Sequence, residues 1–254
     1  MGVPKIVHQI WFDFSKDGSG GKLPDKYAGD QSMCRQVNSD WDFMLWDEEK
    51  CLNLMQTRYP EYVEMYTNYE LPIQRVDCAK YFILHAFGGV YMDVDIKCRK
   101  PLEFTNDGVY LVKVNSICKY NNAFIASSRG DPFWLLVFDI LKERSIYTRN
   151  SIKNLSFNWL TIFNTTGPFI LDTAVKKYGE NNIVSLSGDY FQSCDLCGNI
   201  STEDYYIMHY SDKKWSTDFE SIAVCVWCSK FHILIVVVLI LAIAGVLLLS
   251  YYKK

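Results

Sequence analysis

The sequence lacks a marked excess of charge of either sign: 26 lysines and arginines stand against 29 aspartates and glutamates, and the formal net charge is −3. A protein that binds nucleic acid through its overall field carries a large basic excess, so the composition argues against a nucleic-acid partner. Internal repeats and low-complexity tracts are also absent. For 254 residues, we therefore expect one globular domain with an appendage.

An N-terminal signal peptide is not evident, because the sequence leads directly into a predicted strand. We accordingly expect a cytosolic domain whose nine cysteines do not form a disulfide framework. Cys78 and Cys98 lie inside predicted elements and are interpreted as small buried residues. Two Cys-x-x-Cys pairs, at 194–197 and 225–228, lack the surrounding pattern of a zinc knuckle, so a zinc site is a minor alternative. Acylation of the cysteines at 225 and 228 is another alternative for the second pair.

Charged side chains are missing from residues 231–252 near the C-terminus. A helix of this length spans about 33 Å, which is enough to cross a hydrocarbon core of about 30 Å. Trp227 lies at one edge and Tyr251 at the other, where aromatic residues face the lipid headgroups. The sequence therefore predicts a globular domain, a juxtamembrane linker and a single-pass tail anchor in a lipid bilayer, at residues 1–220, 221–230 and 231–252 respectively.

Predicted strands alternate with predicted helices, which is typical of an α/β sandwich with a mainly parallel sheet. Ligands bind at the carboxyl ends of the strands in such a sheet, so we expect a ligand beside Ile10, Trp11 and Phe12. The expected strands cover residues 5–11, 43–46, 90–96, 109–114, 123–126, 183–186 and 205–209, and the expected helices cover 25–37, 59–68, 74–87, 132–143 and 167–178.

A helix, a glycine pair, a strand and two aspartates follow one another in the first half of the chain. Helical spacing of apolar residues predicts the helix over 74–87, and Gly88-Gly89 supplies the positive φ that ends it. Alternation then predicts a strand over 90–96, which puts the carboxylates of Asp93 and Asp95 on one face. Carboxylates side by side repel each other and are tolerated against a divalent cation. Mg²⁺ or Mn²⁺ bound in this way takes further ligands from water and a substrate diphosphate.

These residues resemble the signature of the DXD sugar transferases, in particular glycosyltransferase family 32, which includes fungal α-mannosyltransferases and inositol-phosphoceramide mannosyltransferases. The signature reads Arg75-x-Asp77-x-x-Lys80-Tyr81, then Gly88-Gly89-x-Tyr91-x-Asp93-x-Asp95. Further family elements follow in order at Pro4–Trp11, Trp41–Asp47, Asn121–Ser127, Thr166–Pro168, and His209 with Trp215. The resemblance covers about residues 3–216. It departs at Lys80, where many members carry arginine with its planar fork of donors.

The resemblance implies a GT-A-type fold and a metal-dependent, retaining glycosyltransferase. The expected reaction moves a hexose, in first place mannose from GDP-mannose, to a hydroxyl of a membrane-associated acceptor such as inositol-phosphoceramide or a glycan. Asp93 and Asp95 are the implied catalytic carboxylates, which bind Mn²⁺ or Mg²⁺ together with His209. The expected donor-binding residues are Ile10, Trp11, Arg75, Asp77, Lys80, Tyr91, Asp93 and Trp215. No nucleophile emerges from the sequence.

Other interpretations of the same residues remain open. The two aspartates could form a solvated turn, Asp77 and Lys80 could form a surface salt bridge at i, i+3, and Tyr91 could pack instead of stacking on the nucleotide. A lone histidine such as His209 is more often structural than ligating.

Two further functions fit the pattern. One is a glycosyltransferase that uses a UDP-sugar on a polysaccharide or protein acceptor. The other is a catalytically silent, membrane-tethered binder of sugar nucleotides, which would usually have lost an aspartate or the Gly-Gly-x-Tyr frame. The chain keeps all of them.

Overall fold

The computed structural model describes residues 2–13, 22–114, 118–151, 158–186, 191–193 and 207–209, together with 236, 238, 240 and 241. The strands are β1 (Ile6–Ile10), β2 (Asp42–Trp46), β3 (Gly89–Met92), β4 (Ile96–Cys98), β5 (Val109–Lys113), β6 (Tyr120–Ser127), β7 (Ile183–Leu186), β8 (Phe191–Ser193) and β9 (Ile207–His209). The helices are α1 (Asp25–Val37), α2 (Glu48–Arg58), α3 (Val63–Thr67), α4 (Pro72–Phe87), α5 (Phe133–Ser151), α6 (Asn158–Thr165) and α7 (Pro168–Tyr178). Short 3₁₀ helices cover Pro60–Tyr62 and Glu180–Asn182.

Six strands form the main sheet in the order β2-β1-β3-β6-β5-β7. Strand β1 is parallel to both of its neighbours and β5 is parallel to β7, whereas β6 runs antiparallel to β3 and β5. The expected α/β architecture with a mainly parallel sheet is therefore confirmed. A second sheet contains β4, β9 and β8 in that order.

Hydrophobic cores cover both faces of the main sheet. On one face, α4 packs against β1, β3 and β6, while α5 packs against α4 and α7. Phe82 of α4 stacks on Phe138 of α5 with ring centroids 3.9 Å apart. The other core includes Val7 of β1 and Val90 of β3 together with Ile96 and Cys34, so β4 and α1 contribute to it. Helix α4 consequently lies against the centre of the sheet.

The predicted Gly-Gly stop of α4 is confirmed. Gly88 has φ of 67°, and its N–H donates to Leu84 O. Gly89 has φ of 88°, and a Cβ there would lie 2.4 Å from the carbonyl oxygen of Ile6. Glycine is required because the chain both adopts positive φ and approaches the β1 backbone closely. The pair turns α4 directly into β3.

The predicted continuous strand over 90–96 is wrong. β3 ends at Met92, the residues Asp93, Val94 and Asp95 form a turn, and β4 begins at Ile96 in the second sheet. The alternation of apolar residues persists because Val90 and Ile96 enter the same core from different sheets. Strand alternation therefore does not place the two carboxylates. The turn between the sheets does so.

The expectation that Cys98 is a free buried residue is wrong, whereas Cys78 is a buried thiol. Cys34 of α1 is disulfide-bonded to Cys98 of β4 across 64 residues of sequence, with Cα atoms 4.8 Å apart. Strand and helix patterns carry no signal for such a long-range pair. Disulfides persist in oxidising compartments, so the bond argues against the expected cytosolic placement of this domain. The two Cys-x-x-Cys pairs lie outside the described residues.

The chain divides into two compact units, residues 1–194 with 200–212 and residues 195–199 with 213–254. The first unit contains both sheets. In the second, Val236, Val238, Ile240 and Leu241 are helical and exposed. Among the residues described, no helix is long and apolar enough to cross a membrane. The anchor predicted at 231–252 falls almost wholly outside them and stays a prediction, as do the predicted domain boundaries.

His8 of β1 connects this strand to β2 and to the end of α4. The Trp46 indole donates to His8 Nδ1 at 3.2 Å, so this nitrogen is an acceptor. Nε2 then carries the proton and donates to Gly88 O at 3.0 Å. The imidazole is thus neutral, and it ties β1 to β2 and to the end of α4. Burial lowers the pKa of His8 to about 4, although the hydrogen bond to Gly88 opposes the shift.

We expect His8 to make the protein less stable in acid. Its pKa is lower in the folded state than the usual value of 6.5, so its contribution to stability is complete above pH 6.5 and is lost as the pH falls towards about 4. The loss amounts to about 3 kcal/mol at most. Urea unfolding from pH 7 to 4 measures it, with His8→Gln expected to flatten the profile. His85→Gln should flatten the profile less than His8→Gln does, since His85 is only half-buried, although burial also lowers its pKa. Equal slopes for wild type and His8→Gln would contradict the assignment.

Candidate active site

A buried ion pair on α4 forms the inner wall of the site. Asp77 and Lys80 lie one helical turn apart on the inward face, and only 6% and 1% of their surfaces are exposed. The Lys80 ammonium lies 2.8 Å from Asp77 Oδ1 and 3.7 Å from Asp93 Oδ1. Burial alone would lower the pKa of Lys80, but the two carboxylates outweigh it and raise that pKa above its usual value. The interpretation of Asp77 and Lys80 as a surface salt bridge is therefore wrong.

Two residues distant in sequence hold the Asp77 carboxylate. Asn122 of β6 donates its amide to Oδ1 at 3.1 Å, and the Thr166 hydroxyl lies 3.4 Å from Oδ2. Asn122 also accepts from Lys80 Nζ through its backbone carbonyl at 3.2 Å. Gly167 lets α6 and α7 approach closely beside Thr166, because a Cβ there would lie 2.9 Å from Phe163 Cα. The carboxylate is consequently fixed in one orientation.

Tyr91 links this wall to the aspartate turn. Its side chain is fully buried, and its hydroxyl donates to Asp93 Oδ1 at 2.6 Å. The Lys80 ammonium lies 4.5 Å from the centre of the Tyr91 ring, which suits a cation–π contact. Burial raises the pKa of Tyr91 well above its usual value, so the phenol stays protonated as a donor. Asp93 Oδ1 is thus held from the protein interior, while the Asp93 side chain is 31% exposed.

The aspartate turn has the chemistry of a divalent-cation site. Asp93 and Asp95 are partly exposed on either side of Val94. The pairing of β4 with β9 places His209 opposite Ile96, the residue after Asp95. Carboxylate oxygens with an imidazole suit Mn²⁺, and carboxylates alone suit Mg²⁺. Among the side chains described, which exclude that of His209, no cluster of three His, Cys, Asp or Glu residues could hold a metal.

The other predicted donor residues lie at different places. Ile10 is buried in the core between the main sheet and the helices α4 and α5. Trp11 follows β1 with its ring centroid 5.6 Å from that of Tyr27, and it is partly exposed. Arg75 forms an ion pair with Glu48 at 2.7 Å and so connects α4 with α2. Trp215 lies outside the described residues. The structure therefore brings together Asp77, Lys80, Tyr91 and Asp93, beside the turn that contains Asp95.

Sequence reasoning assigned no role to Asn122 or Thr166, although both lie in segments that match the family. Asn122 follows another asparagine directly before the strand predicted at 123–126, where a polar pair can signal a buried partner. Thr166 precedes Gly167-Pro168 at the start of α7. Their common partner, Asp77, could not be found from local spacing.

The fold is that of GT-A-like glycosyltransferases. The chain superimposes on the ligand-free glycosyltransferase domain from the YGT toxin with a TM-score of 0.54 at 10% identity, over 73% of this chain and 80% of that one. It matches PaToxG glycosyltransferase with a TM-score of 0.51 at 15% identity, over 71% of each chain. At these identities the similarity shows the fold alone.

Residues 24–122 match the family described as glycosyltransferase sugar-binding region containing DXD motif, which confirms the resemblance to DXD sugar transferases. Inositol phosphoceramide mannosyltransferase 3 of Schizosaccharomyces pombe is 30% identical over 66% of this chain and 44% of its own length. Inositol phosphoceramide mannosyltransferase 1 of the same yeast is 28% identical over 69% and 52%. An uncharacterized glycosyltransferase of Acanthamoeba polyphaga mimivirus is 27% identical over 84% of each chain. The similarity to that family thus covers residues 24–122, and the chain spans about half the length of the two yeast relatives.

Proposed function

We propose that the protein is a metal-dependent, retaining glycosyltransferase that transfers mannose from GDP-mannose to a hydroxyl of a membrane-associated acceptor. The observation that carries the proposal is the buried network of Asp77, Lys80, Tyr91 and Asp93 beside a half-exposed Asp-Val-Asp turn. Burying charged groups costs desolvation energy, and such buried networks cluster at functional sites. This network lies within residues 24–122, which the family match covers.

Asp93, Asp95 and His209 are the proposed residues that hold Mn²⁺ or Mg²⁺. The bound metal would neutralise the charge that develops on the diphosphate leaving group. Tyr91 and Lys80 hold Asp93 Oδ1 from inside the protein, while 31% of the Asp93 side chain is exposed. Asp77 orients the donor sugar by accepting from its hydroxyls. Trp11 stands at the carboxyl end of β1, where a nucleoside is expected.

The choice of donor and acceptor rests on the yeast relatives, whose names state that they are inositol phosphoceramide mannosyltransferases. A tail anchor at 231–252 would hold the domain near the bilayer and raise the effective concentration of any acceptor in it. A lipid such as inositol-phosphoceramide is therefore the first acceptor to test, before a membrane-bound glycan.

The deciding experiment follows radiolabel from GDP-mannose into membranes that contain the full chain, with UDP-glucose as the competing donor. We expect metal-dependent transfer from GDP-mannose into extractable lipid, and retention of the protein in the membrane pellet after carbonate washing. Label from the UDP-sugar alone would favour the alternative donor, and label only in soluble oligosaccharide would refute a membrane acceptor. Donor binding without hydrolysis or transfer would identify a silent binder. Protein released by carbonate would rule out a spanning anchor.

A further inference from the structure

We propose that the Lys80 ammonium is shared unequally between Asp77 and Asp93, and that Asp77 holds it back so that Asp93 keeps its affinity for the metal. The inference rests on the metal role proposed for Asp93. It makes Asp77 a positioning residue for the metal site, in addition to any contact that Asp77 makes with the sugar.

The distances show that the ammonium is held on the Asp77 side. Lys80 Nζ lies 2.8 Å from Asp77 Oδ1 but 3.7 Å from Asp93 Oδ1. The carbonyl of Asn122 accepts from Nζ at 3.2 Å, and the amide of the same residue donates to Asp77, so Asn122 anchors both partners. Asp93 Oδ1 receives the Tyr91 hydroxyl at 2.6 Å instead of a close ammonium.

Because Lys80 is buried, the distance of its ammonium from each of the two carboxylates affects the charge at Asp93. Lys80 is 1% exposed, so water does not solvate its ammonium and a carboxylate must neutralise it. If Asp77 loses its charge, Asp93 is the remaining carboxylate within reach among the described residues. If the ammonium moved from 3.7 Å to 2.8 Å from Asp93 Oδ1, the gain in Coulomb energy at an effective dielectric constant of about 20 would correspond to about tenfold in an equilibrium constant. Asp93 would then bind a metal less tightly by the same factor.

Mn²⁺ binding without donor tests this inference, because it does not depend on turnover. The free Mn²⁺ signal in electron paramagnetic resonance gives the dissociation constant for the detergent-solubilised full chain. We expect Asp77→Asn to weaken Mn²⁺ binding about tenfold, although the side chain never touches the metal. The double variant Asp77→Asn/Lys80→Met should bind at least as tightly as wild type, since no ammonium then competes. A residue that merely supports the fold would not produce this reversal.

A second pair of variants covers the case in which Asp77→Asn does not fold. Tyr91→Phe removes only the hydroxyl that occupies Asp93 Oδ1, so the ammonium can approach and Mn²⁺ binding should weaken; adding Lys80→Met should reverse the effect. Asp172→Asn is the matched control, because Asp172 is a partly buried carboxylate that accepts from the backbone of Lys119 and Tyr120.

The outcomes separate the inference from the proposed function. Wild-type protein that binds no Mn²⁺ overturns the inference, whereas full activity of wild-type protein in excess chelator overturns the metal dependence in the proposed function. Wild-type protein that binds Mn²⁺, with unchanged affinity in folded Asp77→Asn or Tyr91→Phe, overturns the inference alone. Weakened binding that Lys80→Met does not reverse overturns it as well.

Discussion

Asp95→Asn should lower the rate of donor hydrolysis about 100- to 1,000-fold while leaving the protein folded. The substitution keeps the shape of the side chain and removes one negative charge from the turn that is proposed to bind the metal. Asp95 is only partly buried, so the neutral amide is readily accommodated. Initial rates of GDP-mannose hydrolysis at saturating Mn²⁺, together with circular dichroism, measure both expectations.

Asp107→Asn is the control for this substitution, because Asp107 is an exposed aspartate in the loop before β5. It should retain wild-type rates. Full activity of Asp95→Asn, or of the wild-type protein in excess chelator, would remove the metal assignment.

Loss of the Cys34–Cys98 bond should destabilise the domain by about 4 kcal/mol. The bond closes a loop across 64 residues, and the chain-entropy relation for a loop of this length gives that value. The effect should be visible as a lower urea midpoint for the double variant Cys34→Ser/Cys98→Ser, and for wild-type protein in reductant.

The double variant supplies its own control, since added reductant should not lower its stability further. The thiols of Cys51, Cys78 and Cys118 are buried, so they should not form replacement bonds in the folded protein. Equal urea midpoints for oxidised and reduced wild-type protein would show that the bond contributes no stability.

Local features of the sequence predicted local structure well. The helix ending at Phe87 and the Gly-Gly turn are each determined by residues within a few positions of one another, and each is present. The sheet change after Met92 escaped prediction because the apolar alternation continues through it. Contacts that join elements distant in sequence were not predicted either. The partners of Asp77 at Asn122 and Thr166 are 45 and 89 residues away.

The position of β1 has a consequence for synthesis on the ribosome. This strand begins at Ile6 and pairs with β2 on one edge, but its other edge pairs with β3, which begins at Gly89. A nascent chain therefore carries β1 with one hydrogen-bonding edge open while the next stretch of chain is being made. An open edge on a buried apolar strand invites pairing with other chains. Fragments that stop before β3 should consequently aggregate, and a chaperone that shields this edge would favour correct assembly of the sheet.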